Sequence, residues 1–243
     1  MIRHGLTPSE LISVWENGDG PRPSRRILGM LSAAEPEATR EALLSLTAGA
    51  RDAELVALRE ELFGAELSGV TACPVCGEQV ELTFDTHDVR MPAADDVQLA
   101  LHAAGYDVSF RLPTVADLVA IERMRDGNAA RDELLARCVV RAARGECDVD
   151  ARALPEEVVD AIGARMSEAD PQGDVTLDVA CPSCAHAWRD PFDIATFLWS
   201  ELATAARHLL SEVHVLASTY GWSEADILRL SPVRRAAYLE LAR

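Results

Sequence analysis

Cys73-Pro74-Val75-Cys76-Gly77 and Cys181-Pro182-Ser183-Cys184 decide how this chain is read. Both are Cys-Pro-x-Cys, and each adjoins a run with strand character, Glu78 to Phe84 after the first and Val175 to Ala180 before the second. Such a turn directs two thiolates and the following backbone N–H groups at one ion, and two turns complete the tetrahedron that Zn²⁺ prefers. The pair is a zinc-ribbon signature, with Cys73, Cys76, Cys181 and Cys184 as the expected ligands. A thioredoxin-like redox motif would be one Cys-x-x-Cys opening a helix inside a βαβ unit. Here there are two, each with proline after its first cysteine and strands beside it. Four thiolates leave no open position for water or substrate, so the metal is expected to be structural rather than catalytic. His186 could stand in for a thiolate, but the four cysteines already complete the set. Cys138, in an apolar helical run, reads as a buried small hydrophobe, and Cys147 is isolated.

A chain of 243 residues can bury a good core. Six cysteines, four of them in two metal-like pairs, suit a reducing compartment rather than a disulfide framework. Met1-Ile2-Arg3-His4-Gly5 lacks an apolar signal core and no apolar run reaches membrane-spanning length, so a soluble, cytoplasmic protein is expected. The net charge of −17 works against phosphate backbones, which makes nucleic acid an unfavourable partner. Arg25-Arg26 and Arg234-Arg235 are the short basic exceptions. All of the Lys+Arg charge is arginine.

Thr7-Pro8-Ser9-Glu10 places a hydroxyl N-cap, a proline at the first helical position and a carboxylate that returns to the cap. That helix carries Leu11, Ile12 and Trp15 and stops at Gly18-Asp19-Gly20. Helices follow around Ile27–Leu31, Glu37–Leu46 and Arg51–Phe63, the last with Gly64 as its C-cap. Gln79 to Phe84 alternates as a half-covered strand, Asp88 to Asp96 reads as loop, and Tyr106 to Leu112 alternates again. Thr114, with Asp117 at the third position, caps a helix expected to run to Gly127. Asp132–Ala143 and Pro155–Met166 read as two more helices. Val175, Leu177 and Val179 form the strand that delivers the second knuckle, with His186-Ala187-Trp188 pairing away from it. The longest helical pattern, Ile194 to Ala217, sets Phe197, Leu198, Leu202, Ala205, Leu209, Val213 and Leu216 near one stripe. Tyr220-Gly221-Trp222 breaks it, and Ser223 and Ser231-Pro232 each start a short helix.

No nucleotide-binding glycine loop, Walker lysine, Gly-x-Ser-x-Gly elbow or His-Glu-x-x-His is present. His208 and His214, six apart, do not share a helical face. Asp95-Asp96 and Glu156-Glu157 need only a solvated acidic face. No catalytic constellation emerges.

Leu11-Ile12-Ser13-Val14-Trp15-Glu16, Gly49-Ala50-Arg51-Asp52 with Leu55, Leu58-Arg59 and Phe63-Gly64, and the first knuckle carry a resemblance. So do Phe110-Arg111-Leu112-Pro113-Thr114 with Ala116-Asp117-Leu118, the second knuckle, and His214-Val215-Leu216-Ala217 with Tyr220-Gly221-Trp222-Ser223-Glu224 and Ile227-Leu228. The chain resembles the baseplate hub and hub-assembly proteins of T4-type contractile phage tails and extracellular contractile injection systems, over nearly its whole length. It departs from the pattern at Ala185, where a glycine usually follows the second pair. The resemblance implies a non-enzymatic part in building or composing a baseplate, with hub or other baseplate proteins as partners.

The expectation is one α+β domain, mostly helical, around a split zinc ribbon. Helices fill 1–64, the ribbon halves are 65–85 and 174–190, a strand-helix block is inserted at 86–173, and helices fill 191–243. Tyr220, Trp222, Arg234 and Arg235 are the candidate partner-binding residues, because the C-terminal segment mixes aromatics with arginines after a breaker. The expected function is an assembly factor or structural component of a contractile particle. The alternative is a zinc-ribbon binding module or regulator acting through protein or nucleic-acid contacts.

Overall fold

The computed structural model describes residues 5–20, 22–94 and 98–242. Along the chain run α1 (Pro8–Gly18), α2 (Pro23–Ala34), α3 (Arg40–Ser45) and α4 (Ala48–Phe63), then β1 (Glu66–Ala72), β2 (Gln79–Asp85), β3 (Gln98–Ala103) and β4 (Tyr106–Arg111). Next come α5 (Val115–Ile121), α6 (Gly127–Cys138), β5 (Val139–Arg144), β6 (Cys147–Asp148) and α7 (Glu156–Ala169). The chain continues with β7 (Thr176–Ala180), β8 (Ala187–Pro191), α8 (Ile194–Tyr220), α9 (Glu224–Leu228) and α10 (Pro232–Leu241). The fold is mixed α/β with helix predominating. Its contacts gather into two compact units, Met1–Pro36 with Ala195–Arg243, and Glu37–Ile194.

The unit built from both ends of the chain is helical. Thr7 accepts from the Glu10 N–H and the Glu10 carboxylate accepts from the Thr7 N–H, so two orphan donors of α1 are satisfied reciprocally. Ile12, Val213, Leu216, Ile227 and Leu228 bury a common core there, with Tyr220, Trp222 and Tyr238 packed against it. The Arg26 guanidinium lies over the Trp199 ring, 5.0 Å from its centroid.

The second unit holds three antiparallel sheets: β1-β2, β3-β4-β5-β6 and β7-β8. Apolar residues of the four-stranded sheet, Leu99, Val108, Phe110 and Ala142, are closed over by Leu135 of α6 and by Val158 and Ile162 of α7. The start of α4 is fixed from a distance: Asp170, just beyond α7, accepts the Gly49 N–H at 2.8 Å. The carboxylate there complements the helix N-terminus.

Three expectations are corrected. The Asp132–Ala143 helix begins earlier, capped by Asp126, and ends at Cys138. Val139–Arg144 is instead strand β5, because it can pair with β4 while burying Ala142 and Ala143. The helix capped at Thr114 stops at Ile121 rather than Gly127. Strand β3, not anticipated, pairs with β4 through a tight turn in which Ala104 and Gly105 both take positive φ. Of the expected loop Asp88–Asp96, residues 88–94 contain no helix or strand, and Asp95-Asp96 lie outside the described residues, as do Met1–His4.

Candidate metal centre

Each cysteine pair sits at the tip of its own hairpin, in matching register. Ala72 pairs with Gln79 across the first tip, and Ala180 with Ala187 across the second. The local hydrogen bonds repeat as well. The Cys73 N–H donates to the Glu78 carbonyl and the Gly77 N–H to the Cys73 carbonyl, at 2.8 and 2.9 Å. The Cys181 N–H donates to the His186 carbonyl and the Ala185 N–H to the Cys181 carbonyl, at 2.8 and 3.0 Å. Gly77 has φ +74° and Ala185 φ +58°, so both tips use the left-handed conformation that the knuckle requires. At the second tip an alanine supplies it.

The four sulfurs lie within 4.8 Å of one another. Cys73 Sγ is 3.7 Å from Cys184 Sγ, and Cys76 Sγ is 3.5 Å from Cys181 Sγ. Thiolates 2.3 Å from a tetrahedral ion would be about 3.8 Å apart, whereas a disulfide needs about 2.05 Å. All four cysteines are free thiols at the spacing of a metal cage. Cys73 and Cys181 are buried, and Cys76 and Cys184 face outward.

The electrostatics agree with that geometry. Burial opposes ionisation of Cys73, yet the N–H groups of Cys76 and Val75 and the neighbouring thiols outweigh it, drawing Cys73 down to about 7. The Glu78 N–H favours the Cys76 thiolate, but the thiols of Cys181 and Cys184 compete, and Cys76 is pushed up to about 12. The His186 N–H and the Cys76 thiol favour the Cys184 thiolate, but partial desolvation and the thiols of Cys73 and Cys181 outweigh them, so Cys184 is also raised. A first negative charge is welcome here and further ones repel it. A cation at the centre would offset that repulsion as protonation does, and an all-sulfur donor set suits soft or borderline metals. The cluster could hold a metal ion, with backbone N–H groups orienting its ligands.

Two features of the surroundings were not legible from the motifs. The hairpins form separate two-stranded sheets. At their bases the Phe84 and Phe192 rings meet edge to face, centroids 5.3 Å apart, while the Phe192 N–H donates to the Val175 carbonyl at 2.9 Å. Through the Phe84–Phe192 contact the two hairpins meet at their bases as well as at the sulfurs. His186 is outside the cluster; its ring stacks on Trp188 at 5.9 Å. Cys138 is buried at 1% exposure, where loss of solvation pushes its thiol up to about 11, and Cys147 is exposed on β6.

The other sequence-selected residues lie on the terminal unit. Tyr220 stacks on Trp222 at 4.7 Å and Tyr238 meets both edgewise, so these rings form one cluster over the α8–α9 core. Arg235 is 4% exposed and gives its guanidinium to Glu212 and the Leu230 carbonyl. Arg234 projects to solvent. His208 pairs with Glu212 at 3.4 Å.

Among the described residues no helix is long and apolar enough to cross a membrane. Comparison with curated proteins finds no match, and comparison with solved structures finds none either. The family described as T4 bacteriophage base plate protein matches residues 31–199. That span holds both knuckles, all of the second unit and more than half of the sequence, and the chain therefore belongs to the T4 bacteriophage base plate protein family.

Proposed function

We propose that this chain is a non-enzymatic baseplate protein of a contractile phage tail or related injection particle, acting as assembly factor or subunit, with Zn²⁺ held by Cys73, Cys76, Cys181 and Cys184. The observation that carries the reading is the family match spanning both knuckles. The sulfur cluster supports it: four thiolates around one ion leave no coordination position for substrate, so the metal's part is to staple the hairpins. Such a staple couples metal binding to folding, on the order of 10 kcal/mol by analogy with structural zinc peptides. Partners are other baseplate proteins, met in the cytoplasm during assembly.

Deleting the gene and imaging the particles tests this reading. Incomplete or missing baseplates, restored by the wild-type copy, are expected. Normal particles from the deletion strain would overturn it. Mass spectrometry of purified particles then separates the two forms of the proposal. A permanent subunit remains in the particle, whereas an assembly factor stays in the soluble pool.

A further inference from the structure

Helices α6 and α7 leave a cavity of about 220 Å³ between them. Its walls come from matching helical stripes, Leu134, Leu135 and Cys138 on α6 facing Ile162, Gly163 and Met166 on α7. At one end Arg131 bridges to Glu156 and, at 2.8 Å, to Asp160. Two carboxylates on one guanidinium leave that rim net negative.

Gly163 lines that space without a side chain. It lies inside α7, where glycine costs roughly 1 kcal/mol relative to alanine. A Cβ built at this position meets nothing within 4 Å, so no neighbour in the chain demands its absence. Its missing side chain leaves room in the groove.

The terminal unit presents a surface of the matching kind. Val233 and Leu241 on α10 are 80% and 77% exposed, and exposed Ala237 lies midway between them, giving one apolar face at i, i+4 and i+8. Arg234 lies beside that stripe, and among the described residues no carboxylate pairs with it. Charge is divided unevenly between the units. The terminal unit has nine arginines and nine carboxylates, whereas Glu37–Ile194 has fourteen arginines and thirty-one carboxylates and so carries the whole −17. Two acidic units repel each other, while the neutral unit can approach an acidic one freely.

We propose that the α6–α7 groove receives helix α10 of a second copy of this chain, the Val233–Ala237–Leu241 stripe entering the groove and Arg234 meeting the acidic rim. This is helix-in-groove recognition, with a different surface used on each partner. A contact of that heterologous kind closes into rings or runs on as filaments. Its small area sets a weak, concentration-dependent association.

Sedimentation of the full chain over a concentration series tests the proposal. The wild type is expected to self-associate at micromolar concentration. Gly163→Leu, which fills the groove, and Leu241→Asp, which charges the stripe, are each expected to weaken association at least about tenfold. Because each variant retains the surface the other has lost, mixing them restores a contact and stops at one-to-one heterodimers. Gly163→Ala serves as the folding control, raising thermal stability while weakening association. A wild type that stays monomeric, or a mixture that stays monomeric while both variants are folded by circular dichroism, overturns the proposal. So does self-association that Gly163→Leu leaves intact, which would place the contact elsewhere. None of these outcomes depends on a role in the baseplate.

Discussion

Cys76 Sγ lies 3.5 Å from Cys181 Sγ, although the two residues are 105 positions apart in the chain. Everything between them, a four-stranded sheet with α5, α6 and α7, leaves from one hairpin tip and returns to another. The cluster therefore closes a very long loop. That makes it the contact whose loss should be felt farthest from where it occurs.

Ala185 holds φ +58° at the second tip, where its counterpart Gly77 holds +74°. A left-handed L-residue costs roughly 1–2 kcal/mol, which glycine avoids. Ala185→Gly is therefore expected to stabilise the chain by about 1 kcal/mol, and Gly77→Ala to destabilise it by a similar amount. Urea unfolding of both variants measures this. Equal effects of the same sign would contradict the equivalence of the two tips.

Gly49 makes a different demand. A Cβ there would fall 1.8 Å from Asp170 Oδ1, and the same carboxylate accepts the Gly49 N–H through Oδ2. Gly49→Ala should cost about 2 kcal/mol or more by forcing the two elements apart. Asp170→Ala alone removes the cap-like bond. The double variant should lose at least about 1 kcal/mol less than the sum, since the clash vanishes with the carboxylate. Strict additivity in a double-mutant cycle would show that the close approach is not what constrains this site.

Asp117 is 1% exposed and is held by Arg111, by Arg137 at 2.9 Å and by the Thr114 N–H at 3.0 Å. Burial would raise its pKa, but the Arg111 and Thr114 hydrogen bonds and the Arg137 contact outweigh burial and hold the carboxyl far below its ordinary range. A folded-state pKa below the unfolded one gives stability that is present above about pH 4 and is lost as pH falls further toward the folded value. Asp117→Asn is expected to cost about 3 kcal/mol at neutral pH, because it leaves two arginines without their shared partner. It should also flatten the acid limb of the stability curve. An acid limb unchanged in the variant would assign that dependence to other carboxylates.

The parts of the fold legible in sequence were those with local chemical signals. The Thr7 cap, the end of α4 at Gly64 and the cysteine turns each announce themselves within a few residues. The Asp132–Ala143 misreading shows the limit: Leu134, Leu135 and Cys138 fit a helical period, but Val139 and Val140 only declare a strand once β4 is beside them. Strand β3 failed for the same reason, since Gln98–Ala103 is alanine- and leucine-rich and gains its character from pairing. At the cysteine cluster the Cys-x-x-Cys spacing was readable, but the Phe84–Phe192 contact was not, because no local pattern links residues so far apart. Arg235, a candidate partner-binding residue in the sequence, is held by Glu212 on another helix, a pairing that no local pattern announces.

Whether a metal staples the two hairpins is decided by the metal content of the chain purified from its own host, with thermal unfolding before and after chelation. One Zn²⁺ per chain is expected, lost in Cys181→Ser, with stability to cooperative unfolding lower by several kcal/mol in the variant and in the stripped wild type. A wild-type chain that carries no metal, or a Cys181→Ser variant that unfolds like the wild type, would contradict it.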